Sequence, residues 1–321
     1  PVIGLIFYFF FGQQFKREKI FTRIDKNQQQ KLKTHWNNIS SENQSKIETI
    51  HHKIGRFSKI YQYLETSQSS PVYLNDEIRV LKNGEEKFPL FLEAIRHAKH
   101  HIHLEYYVFE LDTIGQEVVD LLIEKASQGV EVRLMIDDFG SSDFGKKGYK
   151  LFKNTKVQFQ VFLPVRFSSL ANSNYRNHRK ILIVDAQIAF VGGINICDKY
   201  INTTPYSSKN KVYWRDTSIQ IKGQSIELLQ LQFWLNWSTT AGDFYDMEKE
   251  AYHFPKAKLK TQHLIQSING FAFTTPGSSV ASAMEAMILA ISLAKKRVRL
   301  TTPYFIPSEE FKSALLIAVS S

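Results

Sequence analysis

Residues 178–195 read HRKILIVDAQIAFVGGIN, and their types and spacing can do chemistry at a phosphoryl group. The segment carries H-x-K-x4-D as His178, Lys180 and Asp185, followed by Gly192, Gly193 and Asn195. Residues 181–184 are apolar and mostly β-branched, which predicts a buried strand. Alternate residues of a strand share a face, so His178 and Lys180 point together while Asp185 falls on the opposite face. An imidazole able to attack or to donate a proton then stands beside a fixed positive charge. That pairing suits displacement at phosphorus, with the imidazole as nucleophile and the ammonium steadying negative charge on the phosphoryl oxygens. The glycines allow a backbone or a ligand to approach where a Cβ would obstruct it. Asn195 is expected to offer an amide N–H to a phosphoryl oxygen.

The elements that must hold this segment are legible upstream. Phe88, Phe91, Leu92, Ile95 and Ala98 recur at helical spacing, and residues 102–109 read as a strand. Residues 115–128 form a second amphipathic helix stopped by Gly129, and residues 130–136 read as another strand. Alternation of this kind predicts an α/β sandwich. The pattern then returns, because residues 287–305 (MILAISLAKKRVRLTTPYF) lie over residues 91–109 (FLEAIRHAKHHIHLEYYVF) at a constant offset of 196. Self-similarity at fixed spacing signals duplicated structure. A second H-x-K-x4-D motif is expected near position 374, past Ser321, so the chain reads as one whole lobe and the start of another.

The same repeat bears on a metal reading. His100, His101 and His103 resemble a ligand cluster, with His101 and His103 on one strand face. Their counterparts are Lys296, Arg297 and Arg299, which cannot replace an imidazole on zinc. The three are therefore expected to form part of a basic surface, with no metal bound.

The formal net charge of +10 over 321 residues points to a polyanionic partner, nucleic acid or anionic lipid, and charge alone does not choose between them. The single cysteine, Cys197, excludes an intrachain disulfide and fits a reducing compartment. Residues 1–12 (PVIGLIFYFFFG) carry no charge and are followed by Lys16, Arg17, Lys19 and Arg23. A spanning helix needs about 20 apolar residues, so the run reads as the tail of a transmembrane helix whose beginning is missing, its basic flank marking the cytoplasmic end. The expected division is a transmembrane remnant (1–12), a polar juxtamembrane connector (13–70), a first lobe (71–265) and the incomplete start of a second (266–321).

The motif resembles the HKD signature of the phospholipase D superfamily, and the whole chain resembles its bacterial cardiolipin synthases. The stretches NDEIRVLKNGEEKF, IHLEYYVFELDTIG, GVEVRLMIDDFGS, YWRDTSIQIKG and TTPYFIP carry that likeness beside the HKD segment. The resemblance implies a phospholipase D-like α/β fold and transfer of a phosphatidyl group between two phosphatidylglycerol molecules, giving cardiolipin and glycerol. It implies a phosphatidyl-histidine intermediate on His178, a second histidine as general acid and base, and no cofactor, metal or nucleotide. Lys180 and Asn195 match groups that hold phosphoryl oxygens, and Asp216 matches an acid that accepts from the far nitrogen of the histidine. The candidate catalytic set is thus His178, Lys180, Asp185, Asn195 and Asp216, with Gly192 and Gly193 against the substrate and Asp185 tying the motif to its surroundings. The implied partners are phosphatidylglycerol and anionic membrane lipid at the cytoplasmic side of the cell membrane, with no nucleic acid. A Gly-Pro pair common in the family ahead of the second lobe is replaced here by Thr275-Pro276-Gly277. A hydrolase using the same residues, phospholipase D or a phosphodiesterase nuclease, is the alternative, since water and an alcohol compete for one intermediate. Residues 1–321 alone, with one motif histidine, are expected to be inactive.

Overall fold

The computed structural model describes residues 54–68, 70–74, 76–162, 164, 176–203, 213–241, 253–254, 267–274, 281–302 and 304–320, with isolated positions between 30 and 41. In chain order the elements are α1 (Ser58–Gln68), β1 (Tyr73–Leu74), β2 (Glu77–Lys82), α2 (Asn83–Arg96), β3 (His101–Tyr106) and α3 (Thr113–Ser127). They continue as β4 (Glu131–Asp137), α4 (Ser142–Phe152), β5 (Gln158–Phe162), β6 (Lys180–Val184), β7 (Ile188–Gly192) and β8 (Thr217–Lys222). The last are α5 (Ile226–Ala241), β9 (Ile268–Asn269), α6 (Ser282–Leu293) and α7 (Glu309–Ser320). The described residues fall into two compact units, one within 76–267 and one made of those within 30–74 and 268–320.

The first unit is built on a seven-stranded sheet of order β2-β8-β7-β6-β3-β4-β5. The run β3-β4-β5 is parallel and every other neighbouring pair is antiparallel. Because side chains alternate, β3 sends Ile102, Leu104 and Tyr106 to one face and His101, His103 and Glu105 to the other. The first face packs with Leu134, Leu182 and Phe190 against the apolar stripes of α2, α3 and α4 in one core. Asp112 caps α3 by accepting from the Gly115 N–H, and Gly129 closes it at φ +92°. The second face is covered by α5, whose IELLQLQFWLNW sequence is buried nearly all round and places Gln230, Gln232 and Asn236 in the interior.

In the second unit β1 pairs antiparallel with β9, α1 reaches α6 through a Tyr63 hydroxyl donating to Glu285, and α6 and α7 share a small core of Ile291, Phe311 and Ala314. The repeat is half realised among the described residues. Helix α6 forms at the offset of α2, but residues 297–302, the counterparts of β3, form no strand. Strand β3 is central, hydrogen-bonded by β4 on one side and β6 on the other. The repeated segment has no described strand beside it, and Val298 and Leu300 are 39% and 46% exposed. On α7 Leu316 and Ile317 are exposed while Leu315 packs inward.

No helix among the described residues is long and apolar enough to cross a membrane. The expected transmembrane remnant at residues 1–12, its basic flank and Thr275-Pro276-Gly277 lie outside the described residues.

Candidate active site

Strand directions gather the chemistry at one end of the sheet. Strand β6 runs antiparallel to β3, so its first residue, Lys180, pairs with Tyr106 at the last position of β3. Strand β4 ends there too, at Asp137, as does β7 at Gly192, while β8 begins there with Asp216 just before it. In open α/β sheets ligands bind beyond the carboxyl ends of the parallel strands, and this is that end for β3 and β4.

His178 is exposed and lies against the Tyr107 ring, 4.5 Å between centroids. Its neighbours on both sides are tied down. The Asn177 N–H donates to Asp137 Oδ2 at 2.9 Å, and the Tyr107 N–H donates to the Arg179 carbonyl at 3.0 Å. The Asn177 amide donates to Glu105, a fully buried carboxylate that also accepts from Asn236 and lies 3.9 Å from Arg179. Burial pushes the Glu105 carboxyl up, with Arg179 and the two amides opposing. A buried charge held by several donors fixes its surroundings closely, and here it fixes the residues on either side of the imidazole.

Lys180 is almost fully buried, donates from Nζ to the His178 carbonyl at 2.7 Å and sits 4.9 Å from the Tyr107 ring centre. Burial lowers its pKa to about 8, with Asp216 and Asp137 pulling the other way. The His178 pKa is lowered by burial and by the Lys180 charge, opposed by Asp137. Neutral imidazole is the nucleophilic form, so this setting favours it at neutral pH.

Other expected residues stand differently. Asp216 makes no hydrogen bond to His178. Its Oδ1 accepts from its neighbour Thr217, and its charge bears on Lys180 and Lys87; the carboxylate that bears on His178 is Asp137. Asn195 spends its side chain on the protein, accepting from the Val108 N–H at 3.1 Å and donating to the Tyr200 hydroxyl at 2.7 Å. The space left by the two glycines is filled by the chain itself. A Cβ on Gly193 would lie 2.2 Å from Asp216 Oδ1, and one on Gly192 2.5 Å from the Ser218 Cα. Asp185 is at the opposite end of β6, about 16 Å from Lys180 at ~3.3 Å per residue. There it accepts from the N–H groups of Lys99, His100 and His101 at 2.8, 2.8 and 2.9 Å. It anchors the strand and does not touch the chemistry. A concavity of about 690 Å³ at that end, lined by Asp185, Lys99, His100 and Lys222 among others, includes none of the phosphoryl-type groups.

Two residues join the site without a signal in the motif. Asp137 ends β4 in MIDDFG, its Oδ1 accepting from the Phe139 and Gly140 N–H groups. Lys87, in EEKF, is fully buried in α2 and donates to the Ile194 carbonyl at 2.7 Å. The rings of Phe88, Phe91 and Tyr106 surround it at 4.9 to 5.1 Å. Burial pulls its pKa far down, Asp216 raises it and Lys180 lowers it further.

Comparison with known proteins finds relatives along the whole chain. Residues 91–208 match a family described as cardiolipin synthase, PLD-like domain. A cardiolipin synthase of Halalkalibacterium halodurans is 33% identical over 100% of this chain and 61% of its own length. One of Staphylococcus aureus is 31% identical over 99% of this chain and 63% of its own. The chain is thus similar over its whole length to cardiolipin synthases with a PLD-like domain. It spans a little over 60% of the length of these relatives. Among solved structures, a phospholipase D family member, Nuc from Salmonella typhimurium, is 19% identical, with a TM-score of 0.38 over 52% of this chain and 97% of that one. Within this phospholipase D-like chain, the H-x-K pair stands at the mouth of the sheet and the motif aspartate at its far end.

Proposed function

We propose that this chain provides the nucleophilic half of a phosphatidyltransferase that makes cardiolipin from two phosphatidylglycerol molecules. The observation that carries the reading is His178, exposed and kept neutral, beside a buried Lys180 ammonium at the open end of the sheet. The family-wide likeness to cardiolipin synthases supports lipid as the substrate.

In this reading His178 attacks phosphorus while Lys180 steadies the phosphoryl oxygens. A glycerol alkoxide leaves and takes a proton from a second acid, because His178 is itself bonded to phosphorus at that moment. The second phosphatidylglycerol hydroxyl then displaces the histidine, giving cardiolipin. The 321 residues hold one H-x-K-x4-D motif, so the second acid is assigned to another histidine, from a further motif or from a second copy of the chain. Net charge of +10 fits an anionic lipid surface.

The test is turnover of phosphatidylglycerol vesicles by the full-length protein. Cardiolipin and glycerol should form, and lipid radiolabelled at phosphorus should be trapped on His178 after a rapid denaturing quench at neutral pH. Phosphatidic acid as the sole product would favour the hydrolase. Loss of activity in chelator, restored by added magnesium, would overturn the metal-free scheme.

A further inference from the structure

His101 and His103 do not form a basic surface as their neighbours suggest. His101 is 1% exposed and His103 0%, and only His100 faces solvent. Both rings lie on the α5 side of the sheet, where Glu131 pairs with His101 across β3 and β4. His253, equally buried and 150 residues downstream of His103, completes a compact group. The His101 ring centre is 4.7 Å from those of His103 and His253, which are 4.8 Å from each other.

We propose that His103, His253 and Glu131 bind a divalent transition cation of the zinc class. One donor atom from each of the three ligands lies within 4.8 Å of the others. Glu131 Oε1 stands 3.1 Å from His253 Nε2 and 3.5 Å from His103 Nε2. The first of these is a hydrogen bond in the metal-free arrangement, and both spacings lie close to the roughly 3.4 Å that separates donors held tetrahedrally at zinc's usual ~2.1 Å. Imidazole nitrogen with one carboxylate is a zinc-type donor set.

The polar atoms nearby support a ligand here. His103 Nε2 makes no hydrogen bond, although it is sealed from solvent, and neither ring nitrogen of His101 has a hydrogen-bond partner. The Gln230 amide nitrogen lies 2.7 Å from His103 Nδ1 while Gln230 Oε1 is also unsatisfied. Turning the amide over exchanges its N and O, a choice decided by the hydrogen-bond network. His103 Nδ1–H then donates to Gln230 Oε1, and Nε2 turns its lone pair toward the cluster. A ligating histidine that donates its other N–H to a carbonyl is the usual outer arrangement of zinc sites. Arg133 competes, lying 3.1 Å from the same Glu131 oxygen, but it also bonds Gln158 and lies 4.1 Å over Trp234. It limits affinity without filling the ligand positions. A cation here would pin His253 to the strands β3 and β4.

The experiment uses tag-free full-length protein, stripped of metal and titrated with Co²⁺. We expect one equivalent bound with the visible absorption of four-coordinate cobalt, displaced one for one by Zn²⁺, and a rise in melting temperature with Zn²⁺. Glu131→Gln, at a partly exposed position, should weaken binding more than about a hundredfold, beyond the roughly 10–100-fold cost of removing an outer partner alone. His178→Ala should leave the titration unchanged. Gln230→Glu, a stronger acceptor for the His103 N–H, should tighten it. No cobalt band and no zinc uptake by folded wild-type protein would overturn the proposal and leave a hydrogen-bonded core cluster. A band that survives Glu131→Gln, or that vanishes in His178→Ala, would overturn it too, the latter by placing the metal at the other site.

Discussion

His178 and His103 belong to adjacent segments of one sheet, yet they are placed for opposite tasks. His178 precedes β6 at the open end, exposed, with its backbone clamped on both sides and its ring free to meet a substrate. His103 lies mid-strand under α5, fully buried, its ring stacked on Phe233 at 4.5 Å. On the proposed reading the same side chain serves as a nucleophile in one setting and as an inert or ligating base in the other. What differs is solvent access and the groups aimed at the ring. At the open end partial burial lowers the imidazole pKa, with a lysine adding to the effect and a carboxylate opposing it, whereas under α5 complete burial carries the pKa well below its ordinary value.

The sharpest way to break the contrast is to remove the exposed member. His178→Ala should abolish both turnover and the trapped covalent lipid, with folding unchanged because the ring is exposed. Lys180→Met should cost about 3–4 kcal/mol of transition-state stabilisation, a rate loss of about 10²–10³. Wild-type rates in either variant would show that the open end is not the reactive one.

The two ends of β6 give the next test. Asp185 accepts three backbone N–H groups and holds a left-handed backbone at φ +53°, which aspartate tolerates. Asp185→Ala should lower stability by roughly 2–3 kcal/mol, the scale of losing charge-assisted hydrogen bonds, seen as a drop in melting temperature. The kcat of the folded fraction should stay close to wild type. A stable variant with depressed kcat would move Asp185 back among the reacting groups.

A pH profile sharpens the electrostatic side. His178 must be neutral to attack, and its pKa is lowered, so activity should fall only below the ordinary histidine value of ~6.5. Lys180 must be charged to steady the phosphoryl group, and its pKa is about 8, so activity should fall again as pH rises through that value. The Asp137 charge raises the His178 pKa. Asp137→Asn should therefore move the acid limb of kcat/KM further down, and an unmoved limb would remove Asp137 from the site's electrostatics.

What could be read from sequence follows from which contacts are local. The pairing of His178 with Lys180 needs only strand alternation, and Ile181 to Val184 announce the strand. The helix over Phe88–Ala98 and its stop before β3 likewise follow from spacing. Lys87 and Asp137 escaped because they arrive through sheet order: α2 after an edge strand, β4 from beyond β3. The burial of His101 and His103 escaped for a related reason. Alternation put them on one face correctly, but the helix that covers that face, Ile226–Ala241, begins 123 residues after His103 and shows no polar side of its own. The repeat misled in the same place, since Arg297 and Arg299 sit in a segment that forms no strand and need not share the environment of β3.

The smallest effect expected tests the role assigned to Asp216. By family likeness it accepts from the histidine, but here its charge acts on Lys180 and Lys87, and its backbone is held by Asn83, whose Oδ1 accepts from the Asp216 N–H at 3.0 Å. Asp216→Asn keeps the shape and the Thr217 contact while removing the charge. That charge raises the Lys180 pKa, so its loss should carry the alkaline limb below pH 8 and leave the acid limb in place. At pH 7 the rate should fall only modestly, because most Lys180 remains charged. If instead the acid limb moves and kcat collapses at every pH, Asp216 reaches His178 during turnover, and the imidazole has turned from Tyr107 toward it.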